Sequence, residues 1–219
     1  MAVGRETVLH TLIETGVVAV VRVDDPTGML DLARALSRGG VTMVEITMTV
    51  PGALKVIEAT AAEFSGEVIV GAGTVLDPAT ATLAVSAGAD YIVSPILDVA
   101  VVEAAHLAGA AAMPGCLTPT EIAGAWRAGA DVVKLFPGRV ATPGYFKDLK
   151  GPLPQVKLMP TGNVDLETAP QYIAAGAVAV GVGKALVDID ALRSQDWDTI
   201  TRRAEAFCEV VRGAREASS

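Results

Sequence analysis

A chain of 219 residues is long enough for one medium domain with a large core, and a formal charge of −8 with a pI near 4.8 argues against nucleic acid as a partner. Hydrophobic residues make up 51% but aromatics only 4%, so the core has to be built from Ala, Val, Leu and Ile, which suits parallel strands and small-residue helices. Cys116 and Cys208 form neither a metal-ligand spacing nor a disulfide framework, and the apolar stretches are short and broken, so no membrane span is expected.

Along the chain, Met1 to Glu6 lacks the layout of a signal peptide, and reduced thiols in a cytoplasmic protein are the simplest expectation. Arg5–Thr15 reads as a leading helix. Eight apolar runs then read as strands: Val17–Arg22, Met43–Thr47, Val68–Thr74, Tyr91–Ser94, Ala111–Met113, Val132–Phe136, Lys157–Thr161 and Ala179–Val182. Helices fill the gaps. Pro26, Pro51, Pro78 and Pro119 are expected to open four of them, because proline in a first turn lacks only an N–H that has no intrahelical acceptor. Glycines at Gly39-Gly40, Gly88, Gly109, Gly129 and Gly176 end helix-like segments just before strands, as helix C-caps do. Asp196–Arg212 closes the chain as a helix, and Gly213–Ser219 reads as its fraying end. Eight alternating units without a linker predict an α/β (β/α)8 TIM barrel with an extra N-terminal helix, one domain over residues 1–219.

Two ionisable residues stand inside apolar strands. Lys134 lies within Val132–Phe136 and Glu45 within Met43–Thr47. Side chains alternate along a strand, so Val132, Lys134 and Phe136 share one face, and Met43, Glu45 and Thr47 share one face of theirs. With the branched apolar residues turned to the helices, both charges point into the barrel. Burial disfavours a charged amine and so favours one that can attack a carbonyl, and a carboxylate beside it can move protons. The same alternation turns Arg22, Thr74 and Thr161 inward at strand ends, the face on which barrel active sites are built. Arg22 is either a surface ion-pair partner of Asp24 or Asp25, or a clamp for a carboxylate or phosphate. Gly71 and Gly73 read as a pocket wall that a ligand can approach closely. Pro160–Asn163 and Gly181–Lys184 follow the seventh and eighth strands, where barrels often bind phosphate. His10 and His106 fall on helices and read as packing residues. Cys116 reads as a small residue beside the pocket.

Taken together, Val44–Thr47, Val70–Thr74, Ile92–Pro95, Met113–Gly115, Leu117–Glu121, Val133–Pro137 and Pro160–Gly162 run through most of the chain in order. In these segments the sequence resembles the bacterial 2-keto-3-deoxy-6-phosphogluconate (KDPG) and 4-hydroxy-2-oxoglutarate (KHG) aldolases. The resemblance implies a class I barrel aldolase that needs no metal or other cofactor, acts on a small 2-keto acid and assembles as a homotrimer. It implies that Lys134 forms the Schiff base and Glu45 shuttles protons. It places Arg22, Thr74, Pro95, Phe136 and Thr161 around pyruvate, and Gly162, Asn163, Gly183 and Lys184 around phosphate. Many members carry Arg where this chain has Thr49, a second glycine where Asn163 stands and a serine where Lys184 stands. Arg22 is the candidate to take over the carboxylate clamp.

Other readings remain open at this point. Within aldolases these are the galactonate epimer and unphosphorylated 2-keto-3-deoxy acids. Beyond them are a phosphosugar isomerase or epimerase, which forms no covalent adduct, and a non-catalytic assembly protein, which gives no reason to bury both charges.

Overall fold

The computed structural model describes residues 3–217. In chain order the elements are α1 (Arg5–Thr15), β1 (Val17–Val21), α2 (Met29–Arg38), β2 (Met43–Thr47), α3 (Ala53–Phe64), β3 (Ile69–Gly73), α4 (Pro78–Ser86) and β4 (Tyr91–Val93). There follow α5 (Val99–Leu107), β5 (Ala111–Met113), β6 (Gly115–Cys116), α6 (Pro119–Arg127), β7 (Val133–Leu135) and α7 (Pro143–Lys150). The last are β8 (Leu158–Pro160), α8 (Thr168–Ala174), β9 (Val180–Val182), α9 (Ile189–Arg193) and α10 (Trp197–Glu216).

The repeated helix-to-strand turn has one physical solution. After α4, Gly88 adopts φ +106°, its N–H bonds to the Val85 carbonyl, and Ala89 N–H reaches back to Ala84 O at 3.0 Å. Those paired bonds are a Schellman cap, and the left-handed residue is glycine because it has no Cβ to clash. The same geometry returns at Gly109, Gly129 and Gly176. Each cap turns the chain straight into the next strand.

Every strand pair is parallel. Six strands run in the order β5-β4-β3-β2-β1-β9, and three in the order β6-β7-β8. Two joints close them into a barrel. A bridge from Thr161 to Gly181 links the end of β8 to β9. On the other side β5 continues through Pro114 into β6, with Lys134 N–H donating to Pro114 O at 2.9 Å. The expected fifth strand is thus longer than Ala111–Met113. It is split at a proline, which has no N–H to give to a ladder.

Outward residues such as Val44, Ile46, Val70, Ala72, Val133 and Leu135 pack under the helices. Inward ones, among them Val18, Met43, Ile69, Tyr91, Met113, Val132 and Met159, fill the barrel. Val8 and Leu12 of α1, fully buried, close its N-terminal end, and each such burial stabilises by about 1.5–3 kcal/mol.

Four expectations need correction. Helices α2 and α3 start after Gly28 and Gly52, both left-handed, rather than at Pro26 and Pro51, because the chain first turns off the strand. Pro78 and Pro119 do stand in first turns, as does Pro143. The final helix runs on to Glu216 rather than stopping at Arg212, and Ser218 and Ser219 of its expected fraying end are outside the described residues. Cys116 packs in the core beneath the helices, not at the pocket; burial pushes its thiol up to about 12, with the Glu121 charge adding a little.

Candidate active site

Glu45 on β2 and Lys134 on β7 do meet inside the barrel. The Lys134 Nζ stands 3.8 Å from Glu45 Oε1, with side chains 6% and 0% exposed. The strand parity explains it. Met43 and Val132, two residues earlier on each strand, also face the interior, so one step up puts both charges in the next layer. Phe136, a further step up, sits with its ring centroid 5.2 Å from Nζ, a cation–π distance.

Arg22 does not pair with its acidic neighbours. Among the described residues it forms no ion pair, and Asp25 instead accepts from the backbone and hydroxyl of Thr27. The Arg22 guanidinium reaches over the rim and donates to Thr74 Oγ1 at 3.2 Å, leaving most of its donors open to the barrel mouth. Thr74 itself is left-handed, at φ +61°. Thr49 is exposed, and its hydroxyl is 2.9 Å from that of buried Thr47, which bonds to the Val21 carbonyl.

Thr161 is 5% exposed; its Oγ1 occupies the space where a Cβ on Gly181 would be, and has no hydrogen-bond partner among the described residues. The Phe136 ring lies beside Gly162. Pro95 packs against Gly115, whose Cβ position is taken by the Pro95 carbonyl group.

Beside the pair opens a cleft of about 410 Å³. Val20, Arg22, Gly162, Asn163, Gly183 and Lys184 are among its walls. Lys134 and Glu45 do not line it; they lie further in, and Val20, in register with Glu45, connects the two. Gly162 and Asn163 are both left-handed, at φ +89° and +56°. Two successive positive φ values suit glycine at both positions, and asparagine is among the few other residues that adopt this conformation at little cost. Lys184 is exposed on the cleft rim and also borders a second cleft that it shares with Arg22.

The glycine pair read as a pocket wall serves another purpose. The spaces beside Gly71 and Gly73 are filled by the Tyr91 ring and the Glu45 carboxylate, not open to a ligand. His10 is exposed 3.6 Å from Glu14, and His106 lies 3.0 Å from Asp131 at the opposite end of the barrel. Tyr91 is a further inward residue of this layer that no motif marks. Its signal was an inward parity shared with Val93 on the fourth strand, in a chain with few aromatics.

The arrangement is that of a barrel enzyme with carbonyl-directed amine chemistry. A neutral amine can add to a carbonyl carbon while the adjacent carboxylate moves protons. Residues 8–203 match the family described as KDPG and KHG aldolase, and the chain belongs to that family. It is 35% identical over 214 residues to the KHG/KDPG aldolase of Escherichia coli K12, covering 96% of this chain and 98% of that one. It is 32% identical over 197 residues to the 2-dehydro-3-deoxy-phosphogluconate aldolase of Pseudomonas aeruginosa, covering 90% and 89%. Its fold matches the KDPG aldolase of Legionella pneumophila with a TM-score of 0.85 at 27% identity, covering 91% of this chain and 97% of that one. That structure holds pyruvate captured as a covalent carbinolamine. The chain is therefore an aldolase, an aldehyde-lyase.

Proposed function

We propose that the chain cleaves 2-keto-3-deoxy-6-phosphogluconate to pyruvate and glyceraldehyde 3-phosphate through a Schiff base on Lys134, with Glu45 as the proton shuttle. The observation that carries this reading is the isolated buried pair, amine and carboxylate 3.8 Å apart at the active end of the barrel. A structural ion pair would be expected to close to hydrogen-bonding distance, whereas here both Glu45 oxygens lack a hydrogen-bond partner among the described residues.

The neutral Lys134 amine adds to the C2 ketone, and loss of water gives an iminium. Glu45, directly or through a water, takes the C4 hydroxyl proton. The C3–C4 bond breaks, its electrons pass to the iminium, and the aldehyde leaves. Glu45 returns a proton to C3 of the enamine, and hydrolysis frees pyruvate and Lys134. Arg22 and Thr74, at the mouth, would hold the carboxylate of the keto acid, while Pro95, Phe136 and Thr161 would surround the ketone. The phosphate end would rest on Gly162, Asn163, Gly183 and Lys184 in the adjoining cleft. An anion there would be held by backbone N–H groups and by Lys184, despite the acidic character of the whole chain.

The same centre can cleave 4-hydroxy-2-oxoglutarate to pyruvate and glyoxylate, without use of the phosphate cleft. The galactonate epimer differs at C4, next to Glu45. Turnover of all three substrates ranks them. Homotrimer assembly accords with the exposed apolar side chains of Leu76 and Leu83 around α4 and of Ile96 and Val99 around the start of α5; sedimentation tests it. A cytoplasmic site of action accords with the bacterial metabolic relatives. Among the described residues no helix is long and apolar enough to cross a membrane.

Borohydride trapping with pyruvate, followed by peptide mass mapping, is the direct experiment. A reduced pyruvate adduct on Lys134 is the expected result. An adduct on Lys184 instead moves the chemistry to the end of β9, and no adduct at saturating pyruvate rejects Schiff-base catalysis.

A further inference from the structure

β3 turns two glycines into the barrel, and neither leaves a hole. A Cβ on Gly71 would collide with Cε2 and Cζ of Tyr91, and a Cβ on Gly73 with the Glu45 carboxylate. The register sets Glu45, Gly71 and Tyr91 side by side on β2, β3 and β4. The phenol therefore reaches over β3 from one side and the carboxylate from the other. Both residues are 0% exposed. Among the described residues neither Tyr91 Oη nor either Glu45 oxygen has a hydrogen-bond partner, and Lys134 Nζ at 3.8 Å stands too far from Oε1 to be one. Buried polar atoms without partners are rare and costly. Here a donor and its natural acceptor stand over the same strand.

We propose that the Tyr91 hydroxyl is a positioning group for Glu45, donating to its carboxylate directly or through one water and so keeping it aligned for proton transfer. The inference rests on Glu45 being the proton shuttle. A plain phenyl ring would fill this layer of the core equally well; the hydroxyl brings only a cost there unless it is bonded. Burial first, and then the charges of Glu45 and Asp90, hold the Tyr91 phenol well above its ordinary range, so it remains a donor at working pH. The ionisable groups facing Glu45 are Lys134 from β7 and Tyr91 from β4. Asp90, next to Tyr91, is taken up by the N–H groups of Val3 and Val70. In the stages where Lys134 is a neutral amine or enamine nitrogen, Glu45 has no cation beside it on β7. Tyr91 then supplies the hydrogen bond that holds the carboxylate.

Tyr91→Phe keeps the ring and removes the hydroxyl. The assay needs only pyruvate as probe: exchange of its methyl protons in D2O, followed by NMR across pH, reads proton transfer to and from the enamine. Tyr91→Phe should form the borohydride-trapped adduct to the wild-type extent and unfold no lower than wild type. Its exchange should be about fivefold slower, with the acidic limb of the rate profile displaced to higher pH, because loss of a donor disfavours the carboxylate form. Placing 3-fluorotyrosine at position 91, a stronger donor in the same shape, should move the limb the other way. Residual exchange in Glu45→Gln should not change when Tyr91→Phe is added. An unmoved limb, a loss uniform over pH, or an equal loss in the Glu45→Gln background overturns the proposal in favour of packing alone. Absence of any adduct in the unmodified protein overturns the Lys134 and Glu45 assignment itself, and this inference with it.

Discussion

The two ends of the barrel treat buried acids in opposite ways. At the N-terminal end, Asp131 accepts from Arg5 Nη2 and from the Ala112 N–H, each at 2.8 Å, and meets His106 Nε2 at 3.0 Å. Asp90 accepts from Val3 and Val70 N–H groups. These acids tie α1 and the strand starts together, and their oxygens are spoken for. At the C-terminal end, Glu45 is more deeply buried than either and has no hydrogen-bond partner among the described residues. A saturated carboxylate stabilises a fold; an unsaturated one holds acceptor capacity for a substrate proton. Polar satisfaction therefore separates the structural end of this barrel from the chemical end more sharply than burial does.

Substitutions at each end test that contrast. The largest effect belongs to Lys134→Ala, which should abolish turnover and borohydride trapping; appreciable residual turnover would break the assignment. Glu45→Gln should slow turnover by about 10²–10⁴-fold, the usual weight of a general acid or base, while pyruvate still forms its adduct. Equal loss of adduct and turnover would make Glu45 a structural partner of Lys134 instead.

Gly73→Ala sharpens the comparison from the backbone side. Its Cβ would displace the Glu45 carboxylate. Turnover should fall by up to about 100-fold, because misplacing a reacting group by about 1 Å costs that much. Unchanged kcat would show that the position of Glu45 is not critical.

At the other end, Asp131→Ala should destabilise the fold by about 1–3 kcal/mol, measured by urea unfolding, because it leaves the Ala112 N–H without its acceptor. The kcat of the folded enzyme should stay within about twofold, as expected for a site with no shared partners. A large fall in kcat would erase the distinction between the two ends.

The smallest effect concerns a helix cap. Thr118 and Glu121 form a capping box at α6, and Thr118→Ala should cost about 1 kcal/mol. Hydrogen bonds from the Thr118 N–H first, then the Leu117 N–H and the Thr118 hydroxyl, hold Glu121 below its ordinary 4.5. A carboxylate lowered in the fold contributes stability that is present above 4.5 and lost as pH falls through the lowered value. Thermal unfolding at neutral pH and near pH 3 should therefore differ less in Thr118→Ala than in wild type.

Much of this was legible in the residues. Short apolar runs, spaced by glycine-ended helices, located all eight barrel strands, because fully covered parallel strands read as continuous hydrophobic segments. The parity of those runs was enough to aim Glu45 and Lys134 at each other. The starts of α2 and α3 were not legible, since a proline marks where a helix can begin but not how many residues the chain spends leaving the strand. Nor was the outward turn of Cys116, because Gly115 and Cys116 read as a loop rather than as a continuation of the fifth strand.

The chain by itself determined the barrel, its one-sided placement of charge and the meeting of Lys134 and Glu45 inside it, because each depends on periodicity and on the cost of burying an ion. Tertiary structure alone decided what the inward glycines of β3 are for, and that Arg22 turns to Thr74 rather than to Asp24 or Asp25. It alone brought Asn163 and Lys184 to one cleft and set Tyr91 and Glu45 over the two inward glycines of β3. Those are contacts between strands that are distant in sequence, and the curvature of the closed sheet, not any local pattern, sets which side chains share a space.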